Sequence, residues 1–215
     1  MFEEDEPQIL ICADLQSEYL AAGRSHAISD AEAIMAGCLE LMTLWRGNLW
    51  PVMHLKRIAQ AAWFNPASNL TNWIAELKPR PGELAFEHPL PSAYSSARFA
   101  EYMSNIRNIP CVMLGFSLDE TILATVVDGF HRSHRYFVVS DAVACRCAGV
   151  GDAASYKAAV VRVMVSVVDW PTARLTGARV LAVRPFDRVA ASVTLFSGTL
   201  PTSVNVSVEP DAIVT

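Results

Sequence analysis

Three polar groups stand where chain geometry favours chemistry. Asp14 closes an apolar run over residues 8–13, and His88 follows a weaker run over 84–86. The segment Gly115-Phe116-Ser117-Leu118-Asp119-Glu120-Thr121 follows a third run over 111–114 and opens a helical pattern. A carboxylate, an imidazole and a hydroxyl are ingredients of acid–base and nucleophilic catalysis, and histidine is the usual base for a hydroxyl nucleophile. A helix start adds free N–H groups and the positive end of a dipole. These stabilise anions and lower the pKa of a thiol placed there. Each group also has a purely structural reading: Asp14 as a buried cap, His88 as a satisfied loop histidine, Thr121 as an ordinary first-turn residue.

Other candidates carry less. Cys145-Arg146-Cys147 offers two thiols one residue apart with no partner pair, so it reads as a loop. No metal and no cofactor are expected. His131 and His134 lie near a helix end, where a cation suits the dipole, and read as caps. Trp63, Phe64, Trp73 and Tyr94 either line a pocket or form aromatic core.

The elements that must position these residues alternate. Strands are expected over 8–13, 51–55, 84–86, 111–114, 136–139 and 178–183. Between them, Ser29-Asp30-Ala31-Glu32 forms a capping box ahead of a helical face of Ile34, Cys38, Leu41, Met42 and Trp45. Ser95 or Ser96 caps a second helix with Phe99, Met103 and Ile106 on one face. Asp119 is the expected N-cap of a third, and Asp152 opens a fourth. Residues 56–82 are irregular, and a loop this long in a compact domain is usually functional. Alternating strands and helices predict a three-layer α/β/α sandwich with a mostly parallel, Rossmann-like sheet. Ligands bind such sheets at the carboxyl ends of the strands. Residues 1–184 form this domain. Residues 185–215 alternate apolar and Ser/Thr positions and read as a β-rich tail, which extends the domain or enters an oligomer interface.

Composition narrows the function classes. Hydrophobic residues make up 52%, charged residues 18%, and the net charge is −5 with no basic cluster. Nucleic acid and anionic membranes are therefore excluded as expected partners; a small-molecule ligand and a homo-oligomer are expected instead. An acidic start is unlike a signal peptide, and no apolar stretch is long enough to span a bilayer. The odd number of cysteines, five, points to reduced thiols and a cytoplasmic setting.

Four motifs in order carry a resemblance. They are Ile11-Cys12-Ala13-Asp14-Leu15-Gln16; His88 four residues before Ser92-Ala93-Tyr94; Val112-Met113-Leu114-Gly115 with Thr121 six residues on; and Val138-Val139-Ser140-Asp141-Ala142. Over residues 8–184 the chain resembles the isochorismatase-like cysteine hydrolases, which include nicotinamidases and N-carbamoyl amidohydrolases. The resemblance implies a hydrolase acting on, or binding, a small amide, carbamoyl compound or enol ether. It implies a catalytic site at Asp14, His88 and Thr121, with Phe116, Ser117, Gln16, His54 and Tyr94 forming the oxyanion hole and pocket. It also implies a cis Phe116–Ser117 bond. The family's triad is Asp, Lys and Cys. Here His88 stands at the lysine position and Thr121 at the cysteine position. Two outcomes are open: an Asp14–His88–Thr121 relay in which His88 takes the Thr121 proton, or a member with weak or lost cysteine-hydrolase activity that serves as a binding module.

Overall fold

The computed structural model describes residues 8–28, 31–106, 109–146, 172–176 and 179–183. Its centre is β1 (Ile9–Ala13), buried at every position. The unbroken apolar run Ile-Leu-Ile-Cys-Ala is what a strand covered on both faces requires. Around it lie β2 (Val52–Arg57), β3 (Leu84–His88), β4 (Cys111–Gly115), β5 (Tyr136–Val143), β6 (Thr172–Thr176) and β7 (Arg179–Val183), in the order β3-β2-β1-β4-β5-β6-β7. All neighbours pair in parallel except β6 and β7, which form an antiparallel hairpin. The strand expected at 178–183 is thus β7. The short β6, Thr-Ala-Arg-Leu-Thr, had too little apolar signal to be foreseen.

Three helices complete the layers: α1 (Ala31–Gly47), α2 (Ala97–Asn105) and α3 (Leu123–His131). Ile34, Cys38, Leu41, Met42 and Trp45 of α1 bury against Leu10, Cys12, Val112 and Leu114 on one face of the sheet. Phe99 and Met103 of α2 and Val126 of α3 bury against Ile9, Ile11, Met53 and Met113 on the other. The two faces of each strand alternate, so the even-numbered β1 residues meet α1 and the odd-numbered ones meet α2 and α3. The capping pair Ser29 and Asp30, the helix expected from Asp152, and the tail over 185–215 with its oligomer contact lie outside the described residues. Among the described residues no helix is long and apolar enough to cross a membrane.

The chain starts at the sheet centre, runs outward through β2 to β3, and returns by α2 to β4 on the other side of β1. The direction reverses between β1 and β4, so their carboxyl ends flank the crevice where such sheets bind ligands. Gly115 closes β4 there with φ +119°, and a Cβ on it would meet the Ala13 carbonyl oxygen at 2.2 Å and the Ala13 nitrogen at 2.8 Å. Only glycine permits this approach.

On the α1 face, Glu83 ties three elements together. It accepts from Arg46 Nε (2.7 Å) and Nη2 (2.9 Å), from the Arg80 N–H (2.8 Å), and from His54 Nε2 (2.8 Å). Burial pushes the His54 pKa down, against the pull of Glu83. Burial also works against the charge on Glu83, but the donors outweigh it and hold the carboxyl at about 2, below its ordinary 4.5.

Two outcomes are expected. Gly115→Ala should destabilise the fold by about 3 kcal/mol or more, because strain at positive φ adds to a backbone clash; urea unfolding measures it. A lowered folded pKa contributes stability above the unfolded value and loses it as pH falls towards the folded one. Glu83→Gln should therefore lower the urea midpoint at pH 7. It should also flatten its decline between pH 4.5 and about 2, where the wild type loses this contribution.

Candidate functional site

Asp14 follows β1 with φ +52°, a left-handed conformation that Asp tolerates better than most residues. Its N–H donates to the Leu55 carbonyl (3.0 Å), and its own carbonyl accepts from Gln16 (2.7 Å). Thus fixed, the carboxylate lies fully buried between three elements. Oδ1 is 2.9 Å from His88 Nε2 at the end of β3. Oδ2 is 2.5 Å from Thr121 Oγ1 at the entry to α3, and 3.4 Å from the Tyr19 hydroxyl. His88 comes from two strands away, roughly 10 Å across the sheet. The three groups placed by sequence at different strand ends therefore converge, and each is at most 1% exposed.

The contacts decide where the protons are. His88 Nδ1 is 2.8 Å from the Leu90 carbonyl, which can only accept, so Nδ1 carries a hydrogen. Nε2 faces the Asp14 carboxylate, so one proton lies in that contact and the Asp14–His88 pair is neutral overall. Thr121 donates its hydroxyl hydrogen to Oδ2, and Tyr19 donates to the same oxygen. Burial and the neighbouring Asp14 push the Tyr19 pKa well up, which keeps it a donor. The arrangement corrects the expected relay. Asp14 lies between His88 and Thr121, both nitrogens of His88 are engaged elsewhere, and the base facing Thr121 is Asp14.

The helix entry also differs from expectation. Ser117 adopts φ +63° and ψ +48°, and its Oγ accepts the Thr121 N–H (3.3 Å). Ser117 is therefore the N-cap, and Asp119 instead pairs with Arg146 (3.2 Å). A π-type turn over Leu118–Ile122 precedes α3. Among the described residues no peptide bond is cis, so Phe116–Ser117 is trans. The N–H of Phe116 donates to Ala13 (2.9 Å), that of Leu118 to Ala144 (2.8 Å), and those of Glu120 and Ile122 to the Ser117 carbonyl (3.2 and 3.1 Å). With Thr121 these are five donors already engaged within the protein.

The remaining expected residues divide. Phe116 is fully buried, its ring 5.4 Å from that of Tyr19, and it packs beside the site rather than offering it an N–H. Gln16 uses its whole amide on backbone: Nε2 donates to Arg57 (3.0 Å) and Thr71 (3.0 Å), and Oε1 accepts from Arg57 (2.8 Å). It is a brace for the loop over 58–82. His54 faces α1, bound to Glu83. Tyr94 points away from Asp14, its hydroxyl on Tyr136 (2.6 Å) and on His134 Nδ1, with Arg132 4.8 Å over its ring. His134 is thus a partner of Tyr94 rather than a helix cap. Phe64 packs on Tyr19, and Trp63 lies 40% exposed near His26.

Two residues of the site escaped the sequence. Tyr19, three positions after Gln16, had only that spacing to mark it. Arg57 ends β2, which was expected to stop at residue 55, so a cation at a strand's carboxyl end went unplaced.

Comparison with known proteins agrees with this architecture. The isochorismatase domain model matches residues 8–172. Among solved structures, the fold is similar to an isochorismatase from Pseudomonas putida, with a TM-score of 0.69 and 23% identity over 78% of this chain and 89% of that one. It is similar to a cysteine hydrolase from Pseudomonas syringae pv. phaseolicola, at 0.67 and 15% over 77% and 88%. It is also similar to N-carbamoylsarcosine amidase from Thermoplasma acidophilum, at 0.64 and 18% over 80% and 99%. No curated protein matches the chain. At these identities the structural likeness carries the fold alone. The match over residues 8–172, on a parallel sheet whose carboxyl edge gathers Asp14, His88 and Thr121, carries more: the chain belongs to the isochorismatase family.

Proposed function

We propose that this chain binds a small amide, carbamoyl compound or enol ether above Asp14 without the cysteine-hydrolase turnover implied by its family resemblance. The observation that supports this most is the 2.5 Å hydrogen bond from Thr121 Oγ1 to Asp14 Oδ2. A thiol at a helix start is substantially ionised near neutral pH. A threonine hydroxyl ionises far higher, and among the described residues the base facing it is a carboxylate whose other oxygen is engaged by His88. The engaged N–H groups around Ser117 point the same way. A tetrahedral oxyanion needs preorganised donors aimed at it, and each one missing typically costs a factor of about 100 to 1,000 in rate.

A second reading has one observation in its favour. The same contact would let Asp14 draw the proton from Thr121 as nucleophile, with His88 holding Asp14 in place. In that reading too, Asp14 rather than His88 is the base.

One assay separates the two readings. Wild type, Thr121→Val, Thr121→Cys, His88→Lys and the double variant are tested on nicotinamide, an N-carbamoyl amino acid and isochorismate. Wild type is expected at background. Thr121→Val should leave that unchanged while lowering stability by about 1–3 kcal/mol, because Oδ2 loses a buried donor. Any gained rate should be largest in the double variant, which restores both thiol and lysine. Wild-type turnover abolished by Thr121→Val would overturn the proposal in favour of a hydroxyl nucleophile.

A further inference from the structure

Among the described residues, Arg57 at the carboxyl edge forms no ion pair, and two of its guanidinium nitrogens are buried without a partner. It ends β2 in register beside His88. Its backbone is held on both sides by Gln16, which accepts from its N–H at 2.8 Å and donates to its carbonyl at 3.0 Å. Two nitrogens of its guanidinium are not held. Nε and Nη1 are buried with no hydrogen-bond partner. The neighbouring carboxylates have cations of their own: Asp14 has His88, Glu18 has Arg24 at 2.7 Å, Glu83 has Arg46, and Asp119 and Glu120 share Arg146. The Arg57 charge reaches the Tyr19 hydroxyl, whose pKa it draws down against burial, and that hydroxyl lies 3.4 Å from Asp14 Oδ2.

The charges at this edge do not balance. Asp14 and His88 share one proton and are neutral together, and the Thr121 and Tyr19 hydroxyls are neutral. Arg57 adds a positive charge that no described carboxylate pairs with. Buried guanidinium nitrogens without a partner are unfavourable, and such groups are normally paired. A planar oxyanion would supply what those of Arg57 lack, since guanidinium N–H donors match carboxylate geometry.

We infer that Arg57 is the anion anchor of this site: the small molecule bound above Asp14 carries a carboxylate, which the Arg57 guanidinium receives. The inference rests on the ligand-binding reading above and adds the chemical class of the ligand. The amide, carbamoyl or enol-ether portion then lies towards Asp14 and Thr121, and the carboxylate fixes its orientation.

The test uses isosteric pairs that differ in charge, benzoate with benzamide and nicotinate with nicotinamide, titrated calorimetrically into the full chain. Wild type should bind each carboxylate more tightly than its amide. Arg57→Gln should weaken the carboxylates by about 10- to 100-fold, as loss of a charged hydrogen bond does, and leave the amides unchanged. Arg57→Lys should keep part of the preference. The unliganded Arg57→Met variant should melt at a higher temperature than wild type, because it removes two buried N–H groups without partners; a purely structural arginine would give a lower one. Carboxylates that fail to bind wild type, bind no better than the amides, or bind Arg57→Gln equally well would overturn the inference. Turnover is read separately. Hydrolysis of either amide by wild type would overturn the inactive reading and leave the assignment of Arg57 standing.

Discussion

A carboxylate with no access to water is the constraint around which this site is arranged. Removing an ionised Asp14 from solvent is strongly unfavourable unless hydrogen bonds and an opposite charge replace the lost hydration. The fold supplies both. His88 brings a shared proton to Oδ1, and Thr121 and Tyr19 bring hydroxyl donors to Oδ2. These donors come from β3, from the entry to α3 and from the turn after β1. Each must hold its position for the others to keep theirs. Such a network is worth more than its separate contacts only while it stays complete.

The same network limits what the site can do. A hydroxyl that donates to a carboxylate is stabilised in its protonated form, and a histidine with both nitrogens engaged elsewhere has no lone pair facing Thr121. The backbone around Ser117 follows suit. By capping the Thr121 N–H with its own hydroxyl and gathering Glu120 and Ile122 on its carbonyl, Ser117 fixes the turn.

Around this core the wider frame is conventional. The approach of Gly115 to Ala13 sets β4 against β1 at the point where the sheet changes direction, and Gln16 clamps the loop over 58–82 to the end of β2. That clamp also holds the Arg57 backbone beside His88, while Nε and Nη1 of its guanidinium have no hydrogen-bond partner. The Glu83 cluster, on the opposite face, secures α1 to β2 and the turn before β3 without touching Asp14.

Much of this was legible before folding. The apolar runs fixed five central strands to within a few residues at each end, and the capped helical faces set two layers around them. These are local signals: a strand buried on both sides must be apolar throughout, and a helix must repeat its apolar face every three to four residues. Order along the chain also put Asp14, His88 and Thr121 at strand ends. The sequence alone therefore determined the α/β architecture and the sheet edge at which Asp14, His88 and Thr121 meet. Tertiary structure decided the rest. Whether Asp14 or His88 faces Thr121 depends on how residues 74 apart in sequence, on strands two places apart in the sheet, are brought together. Whether Ser117 or Asp119 caps the helix depends on a left-handed φ that nothing in the side chain announces. Gln16, His54 and Tyr94 suit a pocket by type, yet each turns to a partner fixed by long-range packing. Residue type limits what a side chain can do; only the direction its strand or turn gives it decides which group it meets.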